Sequence, residues 1–573
     1  MKKIYLVVLI FSILALHSNL TAENTKKIDP FSMNIEQLMN IEVVTASKIP
    51  EKISTAPGVI SVVTHEEIKN MGARTLMDVL QTVPGFNIIQ DNNEHIVAMR
   101  GVYATTNQKI LVLRNGHRLN EFLFENSEMD YSISMANVEK IEIIRGPGAS
   151  LYGNAALMAV INIITRKPED IDGTDVTISL GDYGQRSVDT VYGKKFSNNA
   201  ELLLFATYSN TNGEDVGLDA SEDYGDTPQT AGEMTVDQYP DNFDIGLSFK
   251  LGNFTLSASH RKSHYVQPKG NAGQTIDNFD LYKNLEQEFC YSSLSLQYEV
   301  KRDDLQIKFR HYLDYQKYHA WQMITTSNVN PPQGKLFALN YKGLRLGLNY
   351  EVIKYYNKGT FLAGVTVEQW ELKDSFTRRN WADFSTWTKD SLIPEERAVN
   401  NAFYMQWQHD INQFTRISLG ARYDYFEGIG GNISPRLALI FTLPADLTLK
   451  LMYSEAFLSP TYFYRVSNPA LGYGSTSNLE PETIKSYQIS LRYEPSPRSY
   501  AEITYFLNDL EGLISKDTSV NPNIYKNHEN YVVQGIETEL KFHIIENRLT
   551  ARINATWQSP VASQTSNENM FHG

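Results

Sequence analysis

From about Thr174 onward the chain alternates apolar and polar residues with a period of two. Leu305, Ile307, Phe309, Leu313 and Tyr315 share one side of a strand, broken only by His311, and Gln306, Lys308, Arg310, Tyr312 and Asp314 take the other. Leu447–Tyr453 and Leu549–Trp557 repeat the pattern, the first setting Leu447, Leu449, Leu451 and Tyr453 against Thr448 and Lys450. Successive side chains on a strand point to opposite faces, so each segment has one apolar face with aromatic ends and one charged face. A soluble sandwich and a membrane barrel both fit such a strand. The connections separate them.

Tight turns fall at Ser197–Asn199, Gly252-Asn253, Arg302–Asp304, Asn357–Gly359, Asp410–Gln413, Pro444–Asp446, Pro495–Arg498 and Ile545–Asn547. Most intervals between them are close to fifty residues, and between the turns lie mostly long polar loops such as Ser209–Pro240, Val266–Gln287, Lys373–Glu396 and Leu458–Pro481. Short turns at one end, long loops at the other and strands of about ten residues or more describe an outer-membrane barrel with periplasmic turns and extracellular loops. Sandwiches favour shorter strands and lack that asymmetry. Eight turns delimit sixteen strands, and one more near Asp175–Leu180 precedes them, which makes seventeen. Single-chain bacterial barrels close with an even number. The sequence also stops in a polar tail, Ser563 to Gly573. Either a strand is miscounted or the chain is C-terminally incomplete, and the second expectation is preferred.

Composition agrees with a β membrane protein. The 573 residues include 33 Tyr and 26 Phe, and apart from the N-terminus no apolar run of about 20 residues exists to cross as a helix. A formal charge of -14 without a long basic run argues against nucleic acid as a partner. Cys290 is the only cysteine, which rules out disulfide frameworks and Cys-rich metal sites. Met1-Lys2-Lys3, the apolar stretch Ile4–Leu16 and Thr21-Ala22 have the layout of a secretory signal peptide, residues 1–22.

Between about Asn34 and Arg166 the chain reads as a mixed α/β domain. Thr64-His65-Glu66-Glu67 is a capping box opening a helix that Gly72 closes, and a second helix spans Thr75–Thr82. Short apolar strands are expected at Val59–Val63, Ile96–Met99, Ile110–Leu113, Ile141–Ile144 and Val160–Ile164. No G-x-S-x-G elbow, P-loop or H-E-x-x-H motif is present, so an enzyme is not expected.

Within this domain IEIIRGPGASLYGNAA, residues 141–156, continuing into VINIIT, residues 160–165, closely resembles the plug signature of TonB-dependent outer-membrane receptors. Met158-Ala159 stand where the family usually has a glycine pair. Arg100-Gly101 and Leu111–Asn120 resemble two further plug motifs, and Tyr453–Pro460, Asn478–Leu491 and Gly535–Glu539 resemble barrel motifs. The resemblance implies a transmembrane antiparallel β-barrel of about 22 strands with an N-terminal α/β plug in its lumen. About 17 of those strands are present here, with some 120 residues missing by that count. The expected organisation is a signal peptide at 1–22, a periplasmic segment at 23–48, a plug at 49–168 and a barrel at 169–573.

The resemblance also implies roles. Ile41–Ala46 has the β-branched character of a segment that adds to a partner's sheet edge, and it also fits an ordinary plug strand. By position it resembles the TonB box, Glu42, Val43, Val44, Thr45 and Ala46, and the flanking polar residues and prolines are expected to keep it out of the plug core. Arg100 and Arg145 are expected to lock the plug to the barrel through Gln488 and Glu537, with Gln488 a neutral replacement for the usual glutamate. Ligand contacts are expected at Tyr103, Thr105, Phe122, Phe124 and Tyr131 of the plug and at Tyr462, Tyr464 and Tyr473 of the barrel. His260 and His264, on the outward parity, are expected to be interfacial, and His95 and His117 are weak plug candidates. No histidine occurs between Leu451 and Lys526, which disfavours haem. The acidic loop Ser209–Pro240 suits either solvent or Ca²⁺.

The implied function is uptake of a scarce metal chelate, a ferric siderophore first, with cobalamin, haem or a non-transporting surface receptor as alternatives. The implied partners are TonB with ExbB/ExbD, the chelate, and outer-membrane lipid and lipopolysaccharide. No cofactor is expected.

Overall fold

The computed structural model describes residues 42–564, apart from 91–94, 219–231, 267–285, 327–332, 382–386, 392–393, 467–473, 475, 477, 497–498, 518 and 546–548. The expected signal peptide, Ile41 and Tyr473 lie outside the described residues.

Among the described residues the N-terminal region forms nine short strands: β1 (Glu42–Val43), β2 (Glu51–Lys52), β3 (Ile60–Thr64), β4 (Phe86–Gln90), β5 (His95–Met99), β6 (Ile110–Arg114), β7 (His117–Arg118), β8 (Val138–Arg145) and β9 (Ala159–Thr165). Five build one sheet in the order β3-β8-β9-β6-β7, with β6 and β9 parallel. Helix α1 (His65–Asn70) begins at the expected capping box, Thr64 and Glu67 satisfying each other's backbone N–H, and Gly72 follows with φ 68°. Helix α2 (Leu76–Leu80) starts on a second box, Thr75 with Asp78. Val63, Leu80, Val112, Ile141 and Val160 fill the core of this domain, and Tyr291, Phe457 and Phe506 of the surrounding wall pack onto it.

Among the described residues seventeen long antiparallel strands form that wall, from Gly173–Leu180 to Leu549–Gln564, each hydrogen-bonded to the next. The count read from the turns is therefore met. A short strand, Trp387–Ser391, pairs with the far end of Gly359–Trp381 and adds an eighteenth member to the sheet. Six of the eight expected turns lie wholly within the described residues, and each joins neighbouring wall strands; Pro495–Arg498 and Ile545–Asn547 lie partly outside them. Among the described residues the first wall strand pairs only with Arg186–Lys195 and the last only with Ile524–Ile545.

The wall inverts the soluble pattern. Ile553 and Trp557 are each 59% exposed on the outside, in company with Leu294, Leu346, Phe403 and Ile489, whereas Arg345, Lys450 and Glu539 are buried in the lumen. A continuous apolar exterior of this extent is tolerated in lipid and not in water. Among the described residues no helix is long and apolar enough to cross a membrane. The chain crosses with strands, and the plug domain occupies the lumen.

Candidate functional site

Two arginines at the ends of plug strands tie plug to wall. Arg100 follows β5 with φ 54°, ahead of Gly101 at φ 74°. Its Nε donates to Glu537 Oε1 at 2.7 Å and its Nη2 to Glu537 Oε2 at 3.1 Å, a bidentate pair. The guanidinium also lies 4.2 Å from the centre of the Phe506 ring. Arg145 ends β8, and its Nη1 donates to Glu537 Oε2 at 2.9 Å while its Nη2 reaches Glu502 Oε1 at 2.7 Å and Glu539 Oε2 at 3.3 Å. Glu502 and Glu539 are in turn paired with Arg492 and Arg552 of the wall. The charges alternate in sign, which is what allows so many to be buried together.

The expected role of Gln488 is corrected. Its side chain does face the lumen, but its Nε2 donates to Ser486 Oγ at 3.2 Å and no hydrogen bond joins it to either arginine. Glu502 and Glu539 take that place. Glu539 sits two residues beyond Glu537 on the same parity, so the alternation pointed to it. Glu502 shares the parity, but nothing local fixes its height in the lumen.

The segment Glu42–Ala46 lies near the end of the molecule that carries the short turns. The expectation that it stays clear of the plug core is overturned: Val43, Thr45 and Ala46 are fully buried. Glu42 and Val43 form β1 and pair with β2. Glu142 Oε2, on β8, accepts from Val44 N at 2.9 Å, Thr45 N at 2.9 Å and Thr45 Oγ1 at 2.6 Å. A buried carboxylate thus supplies the acceptors that an edge strand would otherwise seek from a neighbouring chain. Tyr152 donates to Thr45 O at 2.9 Å and Arg436 of the wall to Ala46 O at 2.9 Å. Just beyond the segment, Lys48 Nζ bonds Glu351 Oε1 of the wall at 2.5 Å and Tyr404 OH at 3.0 Å.

At the long-loop end the plug's aromatics meet the wall. Phe122 stacks on Trp370 at 4.6 Å and lies 4.5 Å from Tyr462, which belongs to a one-turn helix, α3 (Tyr462–Arg465). Phe124 packs on Phe463 at 4.8 Å, and Tyr131 on Tyr239 at 5.2 Å. Tyr464 OH accepts from Gln108 Nε2 at 3.0 Å and lies 3.5 Å from Thr105 Oγ1. Of the expected contacts, Phe122, Tyr462 and Tyr464 are buried, while Tyr103 and Thr105 are exposed. Glu121 organises this loop, accepting from Leu123 N and Phe124 N at 2.6 Å, from Asn126 N at 3.2 Å and from Tyr341 OH at 2.5 Å. Burial outweighs these donors and pushes its carboxyl up to about 7.

A cavity of about 30 Å³ bordered by Phe122, Tyr462 and Arg465 shares Asn154, Trp370, Asn400 and Phe426 with a second of about 90 Å³, which extends along the plug–wall seam to Lys48. His117 is held by Asp314 at 2.9 Å, and His95 lies 3.2 Å from Asp237, so these two candidate histidines have local partners. In the acidic loop, Asp215 accepts from Thr235 Oγ1 at 2.7 Å, while Asp219, Glu222, Asp223 and Asp226 lie outside the described residues.

A lipid-facing barrel whose lumen holds a salt-bridged plug, with a short docked strand at the turn end and clustered aromatics at the loop end, defines a plugged outer-membrane receptor. The family model for the TonB-dependent receptor plug domain matches residues 52–160, and that for the TonB dependent receptor-like β-barrel matches residues 215–571. The chain belongs to the TonB-dependent receptor family, whose members are receptors and transporters and whose membership implies interaction with TonB. It is 24% identical over 523 residues to the Vitamin B12 transporter BtuB of Vibrio cholerae serotype O1, covering 89% of this chain and 76% of that one. A Vibrio vulnificus relative of the same name is 29% identical over 174 residues, 30% of this chain and 28% of that one. The fold is shared with the siderophore receptor PirA from Acinetobacter baumannii, at TM-score 0.68 and 18% identity over 89% of this chain and 81% of that one. It is shared also with the ferric enterobactin receptor PfeA from Pseudomonas aeruginosa, at TM-score 0.69 and 18% identity over 90% and 81%.

Proposed function

We propose that this chain resides in the outer membrane of a Gram-negative bacterium, binds a scarce metal chelate at its outer vestibule and passes it to the periplasm with energy delivered by TonB and ExbB/ExbD. A ferric siderophore is the leading substrate class. The observation that carries this reading is the docking of Glu42–Ala46 on Glu142 beneath a lumen closed by the plug. A closed pore is useful to a transporter only if something opens it, and a short strand held by one carboxylate can be exchanged onto a partner's sheet edge. The vestibule offers Tyr103 and Thr105 as exposed contacts, with Phe122, Phe124, Tyr131, Tyr462 and Tyr464 as the apolar floor. Cobalamin is a second reading, favoured by the sequence relatives, which are vitamin B12 transporters.

The test is growth of a receptor-deficient host carrying this chain, supplied with one ferric chelate or with cobalamin as the sole source, with and without TonB. Growth on a ferric chelate that needs both the chain and TonB is the expected result. Growth on cobalamin alone would select the second reading. Chelate binding without TonB-dependent growth would sink transport and leave a surface receptor.

A further inference from the structure

His264 is buried on the wrong side of the wall. It belongs to the strand Phe254–Val266, in which Arg261 points inward and donates to Leu119 O and Ser132 Oγ of the plug. The opposite parity, carrying Phe254, Leu256 and His264, therefore faces outward. Phe254 follows a short turn and is 53% exposed, whereas His264, near the long-loop end, is only 6% exposed. Neither of its ring nitrogens makes a hydrogen bond. A buried imidazole whose two nitrogens lack hydrogen bonds is costly unless something outside the protein satisfies them.

Two carboxylates share its surroundings. Glu288 is directly opposite His264 across the strand pair, and Glu286 lies two residues along on the same face. His264 Nε2 is 3.5 Å from Glu286 Oε2, and its Nδ1 is 4.0 Å from Glu288 Oε1. One ligand atom from each of the three lies within 4.8 Å of the others. Glu286 and Glu288 keep 36% and 29% of their side chains exposed, so an ion can enter from outside. Other groups surround the cluster, Asp241 among them. Lys262 Nζ is 2.6 Å from Glu288 Oε1, and His319, on the next strand, stands opposite Glu288 with its Nδ1 2.6 Å from Asn340 Oδ1. Cys290 follows Glu288 on the same parity.

The geometry points to a divalent transition-metal site of zinc type formed by His264, Glu286 and Glu288. One imidazole and two carboxylates form a zinc donor set, and three protein ligands leave a fourth position for water or an outside oxygen. Ligand atoms around tetrahedral zinc stand about 3.3 Å apart at bond lengths of about 2.0–2.2 Å. The widest pair here must close by about 1.5 Å, within reach of a glutamate rotamer change, and Lys262 must yield Glu288 Oε1. Filling the site would join the two strands at the outer end of the wall.

The rival is an ion-pair cluster that takes no metal, with a protonated His264 between the two glutamates. The whole chain, purified in detergent without an affinity tag, is titrated with Zn²⁺ by calorimetry, and its Cu²⁺ form is read by pulsed EPR for imidazole nitrogen coupling. Folding of every variant is verified by heat-modifiable migration. One site per chain is expected, weakened about tenfold or more in His264→Ala and in Glu286→Gln and unaffected in His260→Ala, with the nitrogen coupling lost only in His264→Ala. Glu286→Gln preserves side-chain shape and serves alone if His264→Ala fails to fold. Equal zinc binding by wild type and these variants, or no binding at all, would overturn the assignment in favour of the ion-pair cluster.

Discussion

Arg145 Nη1 stands 2.9 Å from Glu537 Oε2, and neither side chain is more than 1% exposed. The same glutamate holds Arg100, so one wall residue fixes the ends of two plug strands. Removing Arg145 leaves Glu502, Glu537 and Glu539 facing a single plug cation. Arg145→Ala is expected to destabilise the plug by about 3–5 kcal/mol, the usual result of breaking a buried pair. Hydrogen exchange across Ile141–Arg145 reads this as about a hundredfold or greater loss of protection. Protection equal to wild type would show that packing alone holds the plug.

Glu142 carries the docking of the segment Glu42–Ala46. It accepts three hydrogen bonds from Val44 and Thr45 and stands 2.9 Å from Lys140 Nζ. Glu142→Ala orphans the donors and is expected to weaken docking by about 1–3 kcal/mol. A spin label at Val44→Cys, placed in a Cys290→Ser background, should change from an immobilised spectrum to a largely mobile one. An unchanged spectrum would mean that the Val43 and Ala46 burial holds the segment without Glu142.

Glu121 gives the outer loop a pH dependence. Burial pushes its carboxyl from an ordinary 4.5 up to about 7. The folded loop thus binds a proton that the opened loop releases between those values, and its stability falls as pH rises from about 4.5 to about 7 and levels off above. The span corresponds to about 3 kcal/mol at most. Hydrogen exchange at Leu123, Phe124 and Asn126, corrected for intrinsic rates, should show protection decreasing over that window in wild type and flat in Glu121→Gln. A flat wild-type profile would refute the raised carboxyl. The loop carries Phe122 and Phe124, so the vestibule floor is held tightest in mildly acidic medium.

The parts of the fold legible in the sequence are those set by local rules. Lipid outside and a polar lumen inside force a period of two, so eight turns mark sixteen wall strands and the alternation near Asp175–Leu180 marks one more. Thr64 and Glu67 announce α1 because a capping box is complete within four residues. Arg100 and Arg145 stood out through their motifs. Their partners were harder to read, because parity reports which face a side chain takes and not its height along the lumen. Gln488 and Glu502 both point inward, but the stagger of the wall brings only Glu502 to Arg145. The docking of Thr45 on Glu142 joins residues 97 apart, beyond the reach of any local pattern.

Lys48 offers the last test, since it follows Glu42–Ala46 in sequence and closes the seam in space. Its Nζ contacts Glu351 Oε1 at 2.5 Å and Tyr404 OH at 3.0 Å, and it borders the cavity that continues upward past Arg118 and Asn154. Burial pulls the Lys48 amine below its ordinary value while Glu351 pulls it back up, so each charge depends on the other. Lys48→Met strands Glu351 in the lumen, and Glu351→Gln strands Lys48. Each single change should loosen Glu42–Ala46, read by the same label at Val44→Cys. The double variant removes both charges and should loosen it less than the two effects added, by about 1 kcal/mol or more for groups in direct contact. Strict additivity would mean that Lys48 and Glu351 act independently, and that pulling on Glu42–Ala46 does not open the seam through this pair.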